Sequence, residues 1–321
     1  MGNITKNKQC RKTLCKMVKQ AFGQERELVA FKEMPEGFCN IAYELTLDGN
    51  DRVMLKVGPQ KDIRMMSCER GMMRTEVSAM ELASQKGIWG VPKVYFYDDS
   101  REICSGEYFM MEKLDGEGYH ITKIGLAEKK QEKIDAEIGH YLHELNQIQG
   151  QRFGHFWMEE YQKDNWFDAF YTMVNSVIED GISVSVPIGV PYEEVLELLK
   201  KHKEHFEEVT KPYLIHFDSW DGNIFVKDEK LVGMIDWERA MWAEGLMEDR
   251  FRMHSVKKGF LEGYGVEALT ESQQIRCMWY DVYLYIIMMI EGTYRHYETN
   301  DQYSWVHGLF EQVWEDLNKK C

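Results

Sequence analysis

The hydrophobic period changes once along this 321-residue chain, and that change limits the folds open to it. Residues 28–34, 41–47, 52–57, 93–97 and 107–112 are short runs rich in β-branched, aromatic and other apolar residues, the pattern of strands. The connections among the first three are short. One is the stretch 35–40, and the other is Asp48-Gly49-Asn50-Asp51, where glycine accepts the positive φ of a tight hairpin. Such connections imply antiparallel pairing. A helical stretch near 74–86, with Val77, Met80 and Ala83 on related faces, parts the third run from the fourth. After Leu114-Asp115-Gly116 the period lengthens to that of helices. It is clearest over 127–149, where Ile134, Ile138, Tyr141, Leu142 and Leu145 make one apolar stripe. Weaker helical patterns cover 166–178, 193–208, 272–297 and 306–319. A further helix opens the chain, with Leu14, Met17, Val18, Ala21 and Phe22 on one face and Gly23 as its stop. The expected architecture is therefore α+β with two lobes. Residues 1–113 form a five-stranded antiparallel sheet plus helix, and residues 114–321 form a larger, mainly helical lobe. One compact β-like piece with two short strands interrupts that lobe at 213–237.

Charge narrows the partners. With 39 Lys+Arg against 54 Asp+Glu, the net charge of −15 repels phosphate backbones and excludes nucleic acid as the main partner, while attracting cations. The seven cysteines form no Cys-x-x-Cys pair and suit reduced thiols, so a cytoplasmic location is expected. The longest apolar run, 282–290, is nine residues, against the roughly 20 that a spanning helix needs, so no membrane association is expected.

Polar residues cluster in the β-like piece. It reads His216-Phe217-Asp218-Ser219-Trp220-Asp221-Gly222-Asn223, then an apolar run, a turn at 227–230, and a second apolar run ending Ile235-Asp236-Trp237-Glu238. A hairpin of this kind brings Asn223 and Asp236 together at one end. An amide oxygen and a carboxylate so placed suit Mg²⁺ carrying phosphates, and Asp218 could accept a proton from an attacking hydroxyl. Phosphoryl transfer also needs a cation on the phosphates that are not transferred. Lys56, inside the third strand, must be paired or bound to an anion if it points inward, and Glu76 on the next helix is its natural partner, with Glu81 a rival.

The pattern His-x-Asp-x-x-x-x-Asn followed by Ile-Asp-Trp-Glu resembles the aminoglycoside phosphotransferase family, small-molecule kinases with the bilobal protein-kinase-like fold. The resemblance spans roughly residues 28–264. It implies Asp218 as catalytic base and Asn223 and Asp236 as Mg²⁺ ligands. Lys56 would hold the phosphates of ATP or GTP with Glu76 paired to it. Gly37, Phe38 and Asn40 would lie in the loop over the phosphates, and Met111, Glu112 and Leu114 in the hinge that binds the base. His216 would support the catalytic loop. Asp281 and Glu291, on the C-terminal helices, would bind cationic groups of a small hydroxylated acceptor, aminoglycosides first and amino alcohols or sugars next. The sequence departs from the family at Phe217, at Ser219-Trp220, and at Glu248, where an Asp is common. Each element also has an ordinary use: Asp-Gly-Asn as a turn, Lys56 as an edge-strand guard, Asp236 as a helix cap. Their joint order on the expected elements favours the kinase reading.

Overall fold

The computed structural model describes residues 5–35 and 39–320. Helix α1 (Arg11–Phe22) precedes strands β1 (Leu28–Glu33), β2 (Ile41–Leu47) and β3 (Arg52–Val57). Helix α2 (Met72–Gln85) then leads to β4 (Val94–Asp98) and β5 (Tyr108–Glu112). All neighbouring strands are antiparallel, in the order β1-β2-β3-β5-β4. The crossover through α2 places β4 at the sheet edge and lets β5 pair with β3.

Alternation of side chains sorts this sheet into two faces. Ile41, Tyr43, Leu45 and Leu47 of β2, Val53, Leu55 and Val57 of β3, and Tyr108 and Met110 of β5 share a core with Leu14, Met17 and Val18 of α1. Full burial of each such side chain is worth about 1.5–3 kcal/mol, which fixes α1 against the sheet. The intervening residues face the other way. Phe109 and Met111 join the core that contains α2 and the helical lobe, and Lys56, opposite Phe109 in register, points to that side.

The second lobe contains β6 (Glu117–Gly118), α3 (Tyr119–Thr122), α4 (Glu128–Leu145), β7 (Gly154–His155), α5 (Trp166–Ser183), α6 (Tyr192–Lys201) and α7 (Lys203–Phe206). It continues with β8 (Tyr213–Ile215), β9 (Ile224–Lys227), β10 (Lys230–Met234), β11 (Met241–Ala243), α8 (Lys258–Tyr264), α9 (Glu271–Arg295) and α10 (Asp301–Asn318). The helix predicted over 193–208 is two helices, broken at His202, whose Nδ1 accepts from Trp279 Nε1 at 3.0 Å. The β-like piece holds three strands, not two. Strands β9 and β10 form a hairpin beside β6, while β8 pairs with β11 in a separate small sheet. Asp228 and Glu229 turn that hairpin at φ of 50° and 60°.

The lobes meet where two glycines cross. Gly90, at φ +67°, accepts a hydrogen bond from Met234 N–H at 3.2 Å, and a Cβ on Gly233 would lie 1.9 Å from the Gly90 carbonyl oxygen. Only a residue without a side chain lets the loop after α2 lie on β10.

Candidate active site

The loop between β8 and β9 carries the polar cluster, and a buried acid shapes it. Glu248, with 0% exposure, accepts from the backbone N–H of His216 and of Phe217, both at 2.9 Å. It also accepts from Ser219 Oγ at 3.3 Å and Asn146 Nδ2 at 3.1 Å. Arg250 braces the far side, donating to Ser219 O and to Asp221 Oδ1. Phe217 is thereby held at φ 69°, a left-handed conformation that costs an aromatic residue roughly 1–3 kcal/mol and persists because the surroundings fix it. Burial lowers the His216 pKa to about 4, so its ring is neutral and Nε2 donates to Ile235 O at 3.0 Å.

Those contacts bring three predicted residues together. Asn223 Nδ2 donates to the Asp218 carbonyl at 2.9 Å and to Asp218 Oδ2 at 3.1 Å. Ile235 N–H donates to Asn223 O at 2.9 Å, which places Asp236 beside the loop. Asp236 itself takes φ 64°. Burial raises the Asp218 pKa to about 7; Arg239 opposes the shift, and Asp236, Asp249 and Glu238 add to it. A carboxyl poised there is a stronger base than an exposed aspartate.

From the sheet, Lys56 Nζ reaches Glu76 Oε1 at 2.7 Å and Oε2 at 2.9 Å, donates to Asp236 Oδ1, and lies 3.9 Å from Glu238 Oε2. Glu76, not Glu81, is its helix partner. One carboxylate oxygen from each of Glu76, Asp236 and Glu238 lies within 4.8 Å of the others. Three carboxylates exceed the charge of one ammonium, so Lys56 stays charged, while burial and the neighbouring acids push Glu76 upward. The Asp236 carboxylate and the Asn223 amide are hard oxygen donors of the kind Mg²⁺ prefers, so these two residues could hold it.

Around this centre, Asn40 Nδ2 bonds Glu238 Oε2, while Gly37 and Phe38 lie outside the described residues. Met111 is buried at the end of β5, Glu112 N–H is taken by Lys93 O at 2.8 Å, and Leu114 follows, its N–H donating to no described residue. Asp281 and Glu291 are not brought to open cleft wall. Asp281, 1% exposed, lies 3.9 Å from Arg252 Nε, and burial raises its pKa to about 7. Glu291, 6% exposed, meets Arg295 at 3.2 Å and Arg239 at 3.4 Å. Glu291 is thus held by two arginines, whereas Asp281 meets Arg252 only at the limit of ion-pair distance, and burial leaves it the more readily protonated of the two. Sequence reasoning did not assign roles to Glu238, Arg239, Glu248 or Arg250. Two gave a signal: Glu238 closes the Ile-Asp-Trp-Glu motif, and Glu248 stands where the family has an acid.

The fold and this centre define a bilobal, kinase-like phosphotransferase. The chain belongs to the phosphotransferase enzyme family, whose model matches residues 31–247. Solved structures of similar fold span almost the whole chain. A candidate fructosamine-3-kinase of Thermobifida fusca is 16% identical, with a TM-score of 0.67 over 94% of this chain and 98% of its own. The aminoglycoside phosphotransferase APH(2″)-IIa, solved with streptomycin and ATP, is 14% identical, with a TM-score of 0.63 over 95% and 97%. APH(4)-Ia, solved with AMP-PNP and hygromycin B, is 15% identical, with a TM-score of 0.66 over 94% and 97%. Among curated protein sequences, none matches the chain. No helix among the described residues is long and apolar enough to cross a membrane.

Proposed function

We propose that the protein transfers the γ-phosphoryl group of ATP or GTP to a hydroxyl of a small molecule, in the cleft between residues 1–113 and 114–321. One observation carries the reading: Asp218 is bonded to Asn223, Asn223 is one backbone bond from the Asp236 segment, and Asp236 is bonded to Lys56 of the other lobe. Asp218 takes the proton of the acceptor hydroxyl as its oxygen bonds the γ-phosphorus. The bond from that phosphorus to the bridging oxygen breaks, and the nucleoside diphosphate leaves. Lys56, oriented by Glu76, holds phosphates that are not transferred. Met111, Glu112 and Leu114 would line the base, and Asn40 would lie over the phosphates. Asn223 and Asp236 would hold Mg²⁺, which when bound offsets phosphate charge.

The acceptor reading from the family is an aminoglycoside-like molecule, which the net charge of −15 suits. Such an acceptor would make the protein a resistance enzyme. A specific observation favours a second reading, a sugar or ketoamine acceptor with a metabolic role. A groove of about 510 Å³ runs between the α5–α6 connection and the end of α9. Ser185, Thr293, His296, Asn300, Gln302 and Tyr303 contribute polar lining, and no Asp, Glu, Lys or Arg lines it. Gln302 also bonds Glu291, which in turn meets Arg239. Hydroxyls and amides suit a neutral polyol better than a polycation.

Nucleoside diphosphate release, measured with Mg²⁺ across aminoglycosides, amino alcohols, sugars and ketoamines, tests this. Release that depends on one acceptor class supports the kinase and names its substrate. Nucleotide binding without release on any acceptor favours a pseudokinase, and absence of nucleotide binding overturns the reading.

A further inference from the structure

A second cation stands at the phosphate side of the cleft, and it comes from a part of the chain ahead of the residues the family model matches. Thr5 and Asn7 are buried although they precede the first helix. Asn7 Nδ2 donates to Gly58 O at 3.1 Å, just past the end of β3, and Gln9 N–H donates to the Tyr43 hydroxyl of β2 at 2.8 Å. The segment thus crosses the ends of the two strands that carry Lys56 and the chain leaving the phosphate loop. Just ahead of those anchors, Lys6 Nζ donates to Asn40 O at 2.8 Å. The side chain of the same Asn40 is bonded to Glu238, a member of the three-carboxylate group with Glu76 and Asp236. Lys6 therefore stands at the rim of the group that surrounds Lys56.

Charge balance gives that position a use. Lys56 already serves Glu76 and Asp236 at hydrogen-bond distance. A triphosphate entering beside three carboxylates brings more negative charge than one shared ammonium and one bound Mg²⁺ would offset. Burial lowers the Lys6 pKa, and the nearby Glu33 and Asp236 carboxylates oppose that shift, so the amine is within electrostatic reach of both the sheet edge and the centre.

We propose that Lys6 contacts the terminal phosphates of the bound nucleoside triphosphate, making the segment before α1 part of the nucleotide site. The inference rests on the kinase reading above. A lysine that merely ties the N-terminal segment to Asn40 would act through the fold alone, and it would affect all nucleotides alike.

The test measures dissociation constants of the full chain for ATP and AMP, and for GTP and GMP, all with Mg²⁺, in wild type, Lys6→Ala and Lys6→Arg. A lost charge-assisted contact weakens triphosphate binding roughly 10- to 100-fold. Lys6→Ala should show that loss for the triphosphates and less than about a twofold change for the monophosphates, and Lys6→Arg should recover most of it. Equal losses for tri- and monophosphates, or none, overturn the Lys6 assignment while leaving the kinase reading intact. A wild-type protein that binds no nucleotide overturns the reading itself, and the assignment with it.

Discussion

Replacing Glu248 by glutamine tests how the loop bearing Asp218 is held. The carboxylate accepts four hydrogen bonds, two on each oxygen: His216 N–H and Asn146 Nδ2 on Oε1, Phe217 N–H and Ser219 Oγ on Oε2. An amide keeps one oxygen and turns an NH₂ toward the other two donors. If the oxygen stays with His216 and Asn146, the Phe217 N–H is left buried without an acceptor, and the serine must rotate away. One or two such losses cost about 1–3 kcal/mol each, partly offset because a neutral amide is cheaper to bury than a carboxylate. A net cost of about 2–4 kcal/mol follows, or a fall in Tm of roughly 3–6 °C for a chain of this size. Function should suffer more selectively. Phe217 sits in a left-handed conformation next to Asp218, and loss of its anchor frees it to relax. Misplacing a catalytic group by about 1 Å costs on the order of 100-fold in rate. Thermal melting and steady-state kinetics on the acceptor found by the release assay would read both effects. The expected result is kcat down roughly 10- to 100-fold with nucleotide affinity little changed. A Glu248→Gln variant that melts within about 1 °C of wild type and keeps its kcat would refute the clamp.

Two further outcomes follow from burial and close approach. The folded Asp281 pKa of about 7 lies above its unfolded value of 3.8, so the folded protein binds the extra proton between them and stability falls as pH rises across that window. Asp281→Asn removes this slope. Denaturant unfolding at pH 5 and pH 8 should show the difference between wild type and variant moving against wild type by roughly 3 kcal/mol, and parallel profiles would contradict it. At the lobe contact, Gly233→Ala places a methyl 1.9 Å from the Gly90 oxygen, which forces the loop after α2 away from β10. A loss of about 1–3 kcal/mol in denaturant unfolding is expected, and an unchanged midpoint would show that the backbone yields freely.

What the sequence disclosed and what it withheld divide along physical lines. Lys56 was legible because a strand alternates its faces: with Leu55 and Val57 turned to α1, the lysine between them must point to α2 and Glu76. Asn223 and Asp236 were legible because a hairpin fixes the distance between its ends, whatever its turn is made of. Glu248 was legible as an acid but not as a clamp, since its partners are backbone N–H groups about thirty residues earlier, and no side-chain pattern records them. Strands β7 and β11, of two and three residues, are too short for any period to register. Asp281 and Glu291 were read as cleft residues from their helix. Arg295, four residues on along the same helix, is a partner of Glu291 that the helical period allows, but Arg252 beside Asp281 and Arg239 beside Glu291 come from distant segments that only the folded chain brings up. For the same reason a net charge of −15 describes the surface as a whole and not the lining of one groove.

The central claim is that Asp218 receives the proton of an acceptor hydroxyl, and Asp218→Asn tests it most directly. Asparagine keeps the shape and can still meet Asn223, so the nucleotide site should persist while the base is lost. The account predicts nucleotide dissociation constants within about threefold of wild type, with acceptor-dependent diphosphate release reduced by at least about 100-fold, the scale of a positioned general base. Release at near wild-type rates from a variant that binds nucleotide normally would contradict it.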